Sequence, residues 1–414
     1  MRVLQINSVC GIGSTGRIVT DLDNVLTEAG HESYVAYGRD AGRNCNHAIK
    51  IGRKIDNYMH VAKTRLFDKH GLGSVKATNE FIETVDQLDP DIIHLHNIHG
   101  YYLHIKLLFD YIKKANKPVV WTLHDCWPFT GHCSYFEYVN CNKWETECCS
   151  CPLKSSYPSS LFIDNSLENF LIKREIFTGV DNLTIVTPSK WLERLVKLSF
   201  LKKYPLTVIN NGIDLDVFKP LASNFREKNN LQNKFIILGV ASIWSERKGF
   251  KYFSELSKML NDDEVIVLIG LTDKQIRSLP NNMIGIKKTN STIELAQIYS
   301  AADVFVNPTL EDNFPTTNLE ALACGTPVIT FKTGGSPESI DLSCGMVVEK
   351  GNIDELMTAI RLCRQKDSTM YLANCLSRSR LYDKEAKFNE YLTLYESLLN
   401  RTVDYDEESF VLNL

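Results

Sequence analysis

The sequence predicts an α/β protein in which parallel strands alternate with helices. Residues 304–331 show this most clearly, because a short apolar run, an acidic loop, a helix and a second apolar run follow one another. Residues 3–37 repeat the order of strand, glycine-rich loop, helix and strand. Two such strands in one parallel sheet are joined by a right-handed crossover. The length of 414 residues predicts two or three domains.

The composition is typical of a soluble enzyme with sizeable cores, at 44% hydrophobic and 23% charged residues. The net charge of -4 provides no basic field for nucleic acid, so we expect no such partner. The first residues, Met1–Asn7, are too few and too polar for a signal peptide, and no run approaches ~18 apolar residues. Twelve cysteines without a signal therefore indicate a reducing, cytoplasmic compartment.

Three residues mark the boundaries of the helix that follows the acidic loop. Pro315 suits the first turn of a helix, where its missing N–H removes no hydrogen bond. Gly325 suits a position just past the helix end, and Pro327 prevents the helix from continuing. The predicted helix therefore runs roughly Pro315–Cys324, and the next strand is Val328–Phe331.

Two carboxylates frame this helix. Asp312 precedes it, and Glu320 lies inside it, eight residues later. The N-terminus between them offers N–H groups and a partial positive charge to an anion. Carboxylates accept hydrogen bonds from sugar hydroxyls. The arrangement therefore suits a ligand that carries both hydroxyl groups and phosphate.

The N-terminal loop matches the pattern G-x-G-x-x-G at Gly11, Gly13 and Gly16, between a strand over Val3–Val9 and a helix that ends near Ala29. This is the dinucleotide-binding fingerprint, and taken alone it favours an NAD(P)-dependent dehydrogenase. What it encodes is a phosphate on a helix N-terminus, whichever molecule carries the phosphate. A nucleotide-sugar diphosphate meets the same requirement.

Residues 302–338 strongly resemble the retaining glycosyltransferases of family 4, which have the GT-B fold. The family motif has two acidic residues with seven residues between them, then Glu-Ala-x-Ala-x-Gly-x-Pro-Val. Asp312 and Glu320 hold the acidic positions, and the rest of the motif is matched by Ala321, Ala323, Gly325, Pro327 and Val328. The first acid is normally Glu, so Glu311 is the alternative to Asp312.

The resemblance implies two Rossmann-like domains with a cleft between them. An acceptor domain is expected over residues 1–205, with a Cys-rich insertion at 126–152. A nucleotide-sugar donor domain is expected over residues 206–383. A C-terminal helix and tail at 384–414 are expected to cross back to the first domain.

The resemblance also implies roles for individual residues. Lys248 matches the family's lysine on the donor diphosphate, and Arg247 is the nearest candidate for a second cation, because the usual arginine position is Ile243. Glu320 is expected to hold the ribose hydroxyls and Asp312 a sugar hydroxyl. The other residues expected to contact the donor are Gly13, Gly16, Arg17, Asn313, Phe314 and Thr316.

Two histidines, His94 and His124, belong to the predicted strands over residues 91–97 and 117–125. His124 ends a strand, where ligands of open α/β sheets bind, and in the family the matching histidine faces the donor sugar. We therefore predict a catalytic role for His124. His94 lies within a strand and is expected to be a core histidine.

The implied function is retaining transfer of a sugar from a nucleoside-diphosphate sugar to a saccharide or lipid-linked saccharide, in surface polysaccharide biosynthesis. Catalysis is expected to need no metal or other cofactor. Three alternatives stay open: a nucleotide-sugar epimerase or hydrolase of the same fold, an NAD(P)-dependent dehydrogenase, and an inactive nucleotide-binding scaffold.

The Cys-rich insertion has the spacing C-x7-C-x6-C-x2-C at Cys133, Cys141, Cys148 and Cys151, with Cys149 left over. A C-x2-C pair can place two thiolates on one tetrahedral ion. Because the stretch is polar and lacks an evident core, we predict a structural zinc ion. Buried thiols and a redox pair are the alternatives.

Residues 51–67 have helical apolar spacing, at Ile51, Ile55, Tyr58, Met59, Ala62 and Leu66, and a surplus of basic residues. The favoured interpretation is a packed helix with a solvated charged face. The alternative is peripheral contact with an anionic bilayer that carries the acceptor, at the cytoplasmic face of the inner membrane.

Overall fold

The computed structural model describes residues 1–365 and 367–411, with the backbone alone for 401–411. These residues form two α/β units. The first unit contains Met1–Asn210 together with the chain from Glu385 onward, and the second contains Asn211–Lys384.

The first unit has a parallel sheet. Its strands are β1 (Arg2–Asn7), β2 (Glu32–Tyr37), β3 (Ala48–Lys50), β4 (Ile92–Leu95), β5 (Val119–Thr122), β6 (Leu183–Thr187) and β7 (Leu206–Val208). They lie in the order β3-β2-β1-β4-β5-β6-β7. The helices of this part of the chain are α1 (Gly13–Glu28), α2 (Lys54–Phe67), α3 (Val75–Leu88), α4 (Ile105–Ala115), α5 (Ser166–Phe177) and α6 (Lys190–Leu198).

The second unit has a second parallel sheet. Its strands are β8 (Phe235–Val240), β9 (Glu264–Ile269), β10 (Met283–Ile286), β11 (Val304–Asn307), β12 (Val328–Phe331) and β13 (Gly345–Val348). They lie in the order β10-β9-β8-β11-β12-β13. The helices are α7 (Phe225–Lys228), α8 (Phe250–Leu256), α9 (Asp273–Arg277), α10 (Thr292–Ala301), α11 (Thr316–Ala323), α12 (Ile353–Gln365) and α13 (Ser368–Ser379).

Each sheet has one place where the strand order reverses. In the first unit this place lies between β1 and β4, and in the second it lies between β8 and β11. Both central pairs are parallel, so the loops that follow each pair leave from the same edge of the sheet. Open α/β sheets bind ligands in the crevice at this edge. The fold thus marks one candidate position in each unit.

The helix α14 (Lys384–Val411) returns the chain to the first unit. Its Tyr391 and Tyr395 join a buried cluster with residues of β1, β4 and β5. The Tyr395 hydroxyl lies 2.6 Å from His94 Nδ1, and His94 Nε2 lies 2.8 Å from Thr122 Oγ1. His94 is therefore a buried core residue, as expected. Residues 401–411, expected to belong to a tail, instead continue helix α14, and residues 412–414 lie outside the described residues.

The predicted helix over residues 51–67 is present as α2, but the favoured interpretation of its packing is wrong. The apolar face does not pack: Ile55, Tyr58 and Met59 are exposed. The buried side chains of the helix are instead His60 and Thr64. Loop residues near 71–74 hydrogen-bond to His60 on this polar face. Tertiary contacts, and not the apolar pattern, therefore determine which face of the helix is buried.

Cys10 and Cys45 are joined by a disulfide. The cysteine count predicted reduced thiols, and this pair departs from that expectation. The bond ties the start of the glycine-rich loop to the segment that follows β2. None of the described helices is long and apolar enough to cross a membrane.

Candidate functional site

In the second unit, the loops after β8 and β11 pack on each other at the point of strand reversal. The Leu310 amide donates to the Arg247 carbonyl at 2.7 Å. Gly249 has φ +76°, and a Cβ there would lie 2.0 Å from the carbonyl oxygen of Pro308. Only glycine fits this contact, because a side chain would strain the backbone and clash with it. The contact holds residue 248 against the second loop.

Lys248 and Asp312 form an ion pair between these loops. Lys248 Nζ lies 2.5 Å from Asp312 Oδ2, and the side chains are 26% and 13% exposed. Arg247 lies beside them and donates to the Glu311 carbonyl at 2.5 Å. The pair is therefore accessible to a ligand and contains the two residues predicted to contact a sugar and its diphosphate.

Charge and burial compete at this pair. Burial lowers the pKa of Lys248, Asp312 raises it, and Arg247 lowers it further, so that it lies below the usual lysine value. Burial acts to raise the pKa of Asp312, but the charges of Lys248 and Arg247 and the hydrogen bonds to its carboxylate outweigh burial. The carboxylate of Asp312 is thus held in its charged form.

The two candidate first acids differ in position. Glu311 is completely buried, whereas Asp312 is partly exposed. The Asp312 carbonyl accepts from the Gly335 amide at 3.0 Å, which fixes the loop after β12 against it. The geometry therefore favours Asp312 as the residue that can reach a ligand.

The start of α11 lies directly beyond Asp312. The Asn313 amide donates to Asp312 Oδ1 at 3.0 Å, and Phe314 is buried in the core of the second unit. Pro315 occupies the N-cap and makes no side-chain cap, so the N–H groups of the first turn from Thr316 are not capped by it. An uncapped helix start of this kind favours an anion.

Glu320 lies one to two turns into α11. Its side chain is 2% exposed and accepts a hydrogen bond from the Tyr299 hydroxyl at 3.1 Å. The two acids of the predicted pair therefore have different partners. Asp312 pairs with Lys248, and Glu320 accepts a hydrogen bond from the core residue Tyr299.

In the first unit, the glycine-rich loop connects β1 to α1. The Gly11 amide donates to the Gly16 carbonyl at 3.0 Å, and a Cβ on Gly16 would lie only 3.2 Å from Gly11 N. Ile12 is at the N-cap of α1 and has no side-chain oxygen to cap Gly13 and its neighbours. Arg17 lies in the following turn. The backbone of this loop is thus tightly packed, and the start of α1 has no side-chain cap from Ile12. Both features suit phosphate binding at a helix N-terminus.

His124, just past the end of β5, belongs to a hydrogen-bonded chain. Gln5 Nε2 donates to the Val19 carbonyl at 3.2 Å, which turns Gln5 Oε1 toward His96 Nε2, also at 3.2 Å. His96 must then carry its proton on Nε2, so its Nδ1 accepts from His124 Nε2 at 3.1 Å. The Nδ1 lone pair of His124 remains as an acceptor.

Burial keeps this chain neutral. It lowers the pKa of His124 to about 4, an effect that the charge of Asp125 opposes and that of His99 reinforces. Burial also lowers the pKa of His96 well below its usual value. His124 is therefore a neutral hydrogen-bond acceptor at physiological pH.

The structure adds two functional candidates that the motifs did not indicate. His99 and Asp125 follow the ends of β4 and β5, and their side chains approach to 3.0 Å between Nε2 and Oδ2. The Tyr157 hydroxyl lies 3.1 Å from His99 Nδ1. His99 and Asp125 each lie shortly after a histidine at a strand end, and this position is the sequence signal that marks them.

The predicted zinc site is not supported. Cys133, Cys141, Cys148 and Cys151 do line one pocket, but among the described residues no group of three or more His, Cys, Asp or Glu side chains is placed to hold a metal ion. The neighbouring Cys133 thiol lowers the pKa of the Cys151 thiol to about 7.

The physical reason is an aromatic core that the sequence interpretation missed. Trp144 packs against Phe129 and Phe136, with ring centroids 5.3 and 4.9 Å apart. These rings and the thiols of Cys133 and Cys148 are buried in the hydrophobic cluster of the first unit. The insertion therefore buries apolar surface of its own, and this burial contributes to its ordering.

Comparisons with known proteins agree with this geometry. The model described as Glycosyltransferase Family 4 matches residues 15–217, and that described as Glycosyl transferases group 1 matches residues 234–365. A putative colanic acid biosynthesis glycosyl transferase, WcaC, of Escherichia coli K12 is 25% identical over 96% of this chain and 100% of its own length.

Two further proteins are similar over different extents. An N,N'-diacetylbacillosaminyl-diphospho-undecaprenol alpha-1,3-N-acetylgalactosaminyltransferase of Campylobacter jejuni is 27% identical over 48% of this chain and 56% of its own length. The solved structure of Anabaena Alr3699/HepE in complex with UDP aligns with a TM-score of 0.69 and 15% identity, over 96% of this chain and 100% of that one.

Two parallel Rossmann-like sheets, together with the similarity to the solved structure, identify the GT-B fold. The chain belongs to family 4 of the glycosyltransferases, as the matched models show. The alternative as a dehydrogenase, suggested by the glycine-rich loop, receives no support from the relatives.

The pKa of His124 tests the proposed hydrogen-bonded chain. We expect the His124 ring to titrate near pH 4 in NMR spectra of the folded protein and to stay neutral from pH 5 to 8, because burial disfavours its charged form. The His124→Asn variant assigns the resonance. A His124 titration between pH 6 and 7 would contradict the chain.

Proposed function

We propose that this glycosyltransferase moves a sugar, with retention of configuration, from a nucleoside-diphosphate sugar to a saccharide or lipid-linked saccharide. The observation that carries the proposal is the Lys248–Asp312 ion pair at the strand reversal of the second unit. This one contact combines a cation, which would bind the leaving diphosphate, with a carboxylate, which would accept from a sugar hydroxyl. The relative from C. jejuni, as its name states, acts on a diphospho-undecaprenol acceptor, which supports a lipid-linked acceptor here.

The ion pair provides charge balance before the donor binds. Without a ligand, Lys248 is neutralised by Asp312. A bound diphosphate offers Lys248 a partner of higher charge, and the Asp312 carboxylate is then released to accept from a sugar hydroxyl. When the sugar–phosphate bond breaks, negative charge grows on the leaving phosphate. Lys248 and Arg247 stabilise that charge most as the bond breaks, and this is how preorganised cations accelerate reactions.

The remaining residues have proposed binding roles. Neutral His124 accepts a hydrogen bond from the sugar through Nδ1, and Glu320 turns from Tyr299 to hold the ribose. The backbone at Asn313, Phe314 and Thr316 receives phosphate oxygens at the α11 start. The glycine-rich loop of the first unit, with Gly13, Gly16 and Arg17, binds phosphate in the same manner.

The stereochemistry and the location complete the proposal. The acceptor hydroxyl attacks on the face from which the diphosphate leaves, and a leaving phosphate oxygen takes its proton, so the configuration is retained. Charge stabilisation by Lys248 and Arg247 makes a catalytic metal unnecessary in this scheme. The proposed substrates favour a location in the cytoplasm, in peripheral contact with the membrane that carries the acceptor.

The Lys248→Ala variant tests the cation. We expect release of nucleoside diphosphate to fall at least ~100-fold, because one main stabiliser of the leaving charge is lost. The matched control is Lys251→Ala, which removes an exposed lysine three residues later on α8 and should leave the rate within twofold. If the two variants have similar rates, Lys248 is not part of the mechanism.

The acidic loop gives a second, independent prediction. Asp312→Asn should reduce turnover by about 10-fold or more, because the variant loses the charged hydrogen bond of the carboxylate. The loss of stability should be small, because the Asp312 side chain is partly exposed. Glu311→Gln should act mainly on the thermal midpoint, because Glu311 is buried. Steady-state kinetics and thermal unfolding of both variants separate the effects. The reverse result would make Glu311 the first acid.

A further inference from the structure

Helix α2 has the reverse of the usual amphipathic arrangement. Its apolar side chains point outward, with Tyr58 68% and Met59 65% exposed and Ile55 and Leu66 also in solvent. At about 100° per residue these positions form one stripe along the helix. A helix normally turns this stripe toward the core. The stripe is therefore not part of what holds the helix on the protein.

Hydrogen bonds hold the opposite face instead. His60 Nε2 accepts from the amides of Gly71 and Gly73 at 3.1 and 3.2 Å. Asn57 Nδ2 donates to the Tyr101 carbonyl at 3.0 Å, and Lys63 Nζ donates to the Leu72 carbonyl at 2.6 Å. These bonds fix the rotation of α2 and keep its apolar stripe turned to solvent.

A neighbouring loop extends the stripe. Leu161, Phe162 and Ile163 are exposed, with Phe162 at 72%. The Leu161 amide donates to the Arg65 carbonyl at 2.8 Å, which fixes the loop to the end of α2. We call this surface the outer face; it consists of Ile55, Tyr58, Met59, Leu66, Phe67 and Leu161–Ile163. Exposed apolar patches of this kind mark interaction sites.

Basic residues border the outer face. Residues 50–69 contain six lysines and arginines against two aspartates. Arg53, Lys54 and Arg65 are exposed beside the stripe. Both aspartates are engaged: Asp56 accepts from the Arg53 amide at 2.7 Å, and Asp68 is buried against His132 at 2.5 Å. Arg53 Nε also lies 3.8 Å from Asp56 Oδ2, so the positive charge that the border presents outward comes mainly from Lys54 and Arg65.

We propose that the outer face docks on an anionic phospholipid bilayer. Aliphatic and aromatic side chains enter the headgroup boundary while the lysines and arginines meet lipid phosphates, the combination that holds interfacial helices. A second copy of the chain is a poorer occupant, because a two-fold interface would bring like-charged borders together. The inference deepens the membrane contact of the proposed function and rests on it only for its biological setting.

Vesicle sedimentation tests this surface directly. Wild-type protein should bind vesicles containing phosphatidylglycerol and bind pure phosphatidylcholine vesicles at least ~10-fold more weakly, because the border charges contribute only on an anionic surface. The Tyr58→Ser/Met59→Ser double variant should lower the binding constant on phosphatidylglycerol vesicles about 10-fold or more. Replacing Lys54 and Arg65 by Gln should lower it about fivefold for each residue and weaken its salt dependence.

A matched control uses exposed leucines of the second unit. Leu342 and Leu381 are 84% and 57% exposed, and Leu342→Ser/Leu381→Ser should bind vesicles as the wild type does. Nucleoside diphosphate release in solution should be unchanged in every variant, so failure of the docking proposal is distinguishable from failure of the transferase proposal. Unaltered vesicle binding by the Tyr58/Met59 variant would overturn the proposal. A dimer in solution that the same variant abolishes would also overturn it, by making the outer face an interface between copies.

Discussion

The packing of two loops at the strand reversal of the second unit determines where its chemistry can occur. The carbonyl of Pro308 lies where any side chain on residue 249 would have to be, so glycine is required after Lys248. This close approach sets Lys248 against Asp312 and joins a cation to a carboxylate across two strands. This ion pair keeps both charges satisfied until an anionic ligand replaces one partner, as the proposed diphosphate would.

The first unit uses neutral groups at the equivalent edge of its sheet. His94, His96 and His124 form a row whose protonation is set by Gln5, Thr122 and Tyr395. Burial keeps the row uncharged. Charged side chains thus lie at the strand reversal of the second unit, and neutral hydrogen-bonding side chains lie at that of the first.

Local signals predicted the elements that local chemistry determines. Pro315, Gly325 and Pro327 mark α11 and β12 to within one residue, because caps and turns depend on neighbours in the chain. The zinc prediction is not supported among the described residues. The core of the Cys-rich insertion was missed because Phe129, Phe136 and Trp144 come together from separate short turns.

Long-range contacts account for what was missed. The orientation of α2 depends on amides from Gly71 and Gly73, and a helical pattern read in isolation assigns the apolar face to the core. The approach of His99 to Asp125 likewise needs two parallel strands in register. Burial follows from partners distant in sequence, so it was the least predictable property of this chain.

The most direct test of the account is a crystal structure with a nucleoside diphosphate bound, the base chosen by a thermal-shift screen of UDP, GDP and CDP. The account predicts diphosphate oxygens within hydrogen-bonding distance of Lys248 Nζ and the α11 start, with Asp312 no longer paired to Lys248. A diphosphate bound elsewhere, with the Lys248–Asp312 pair intact, would contradict it.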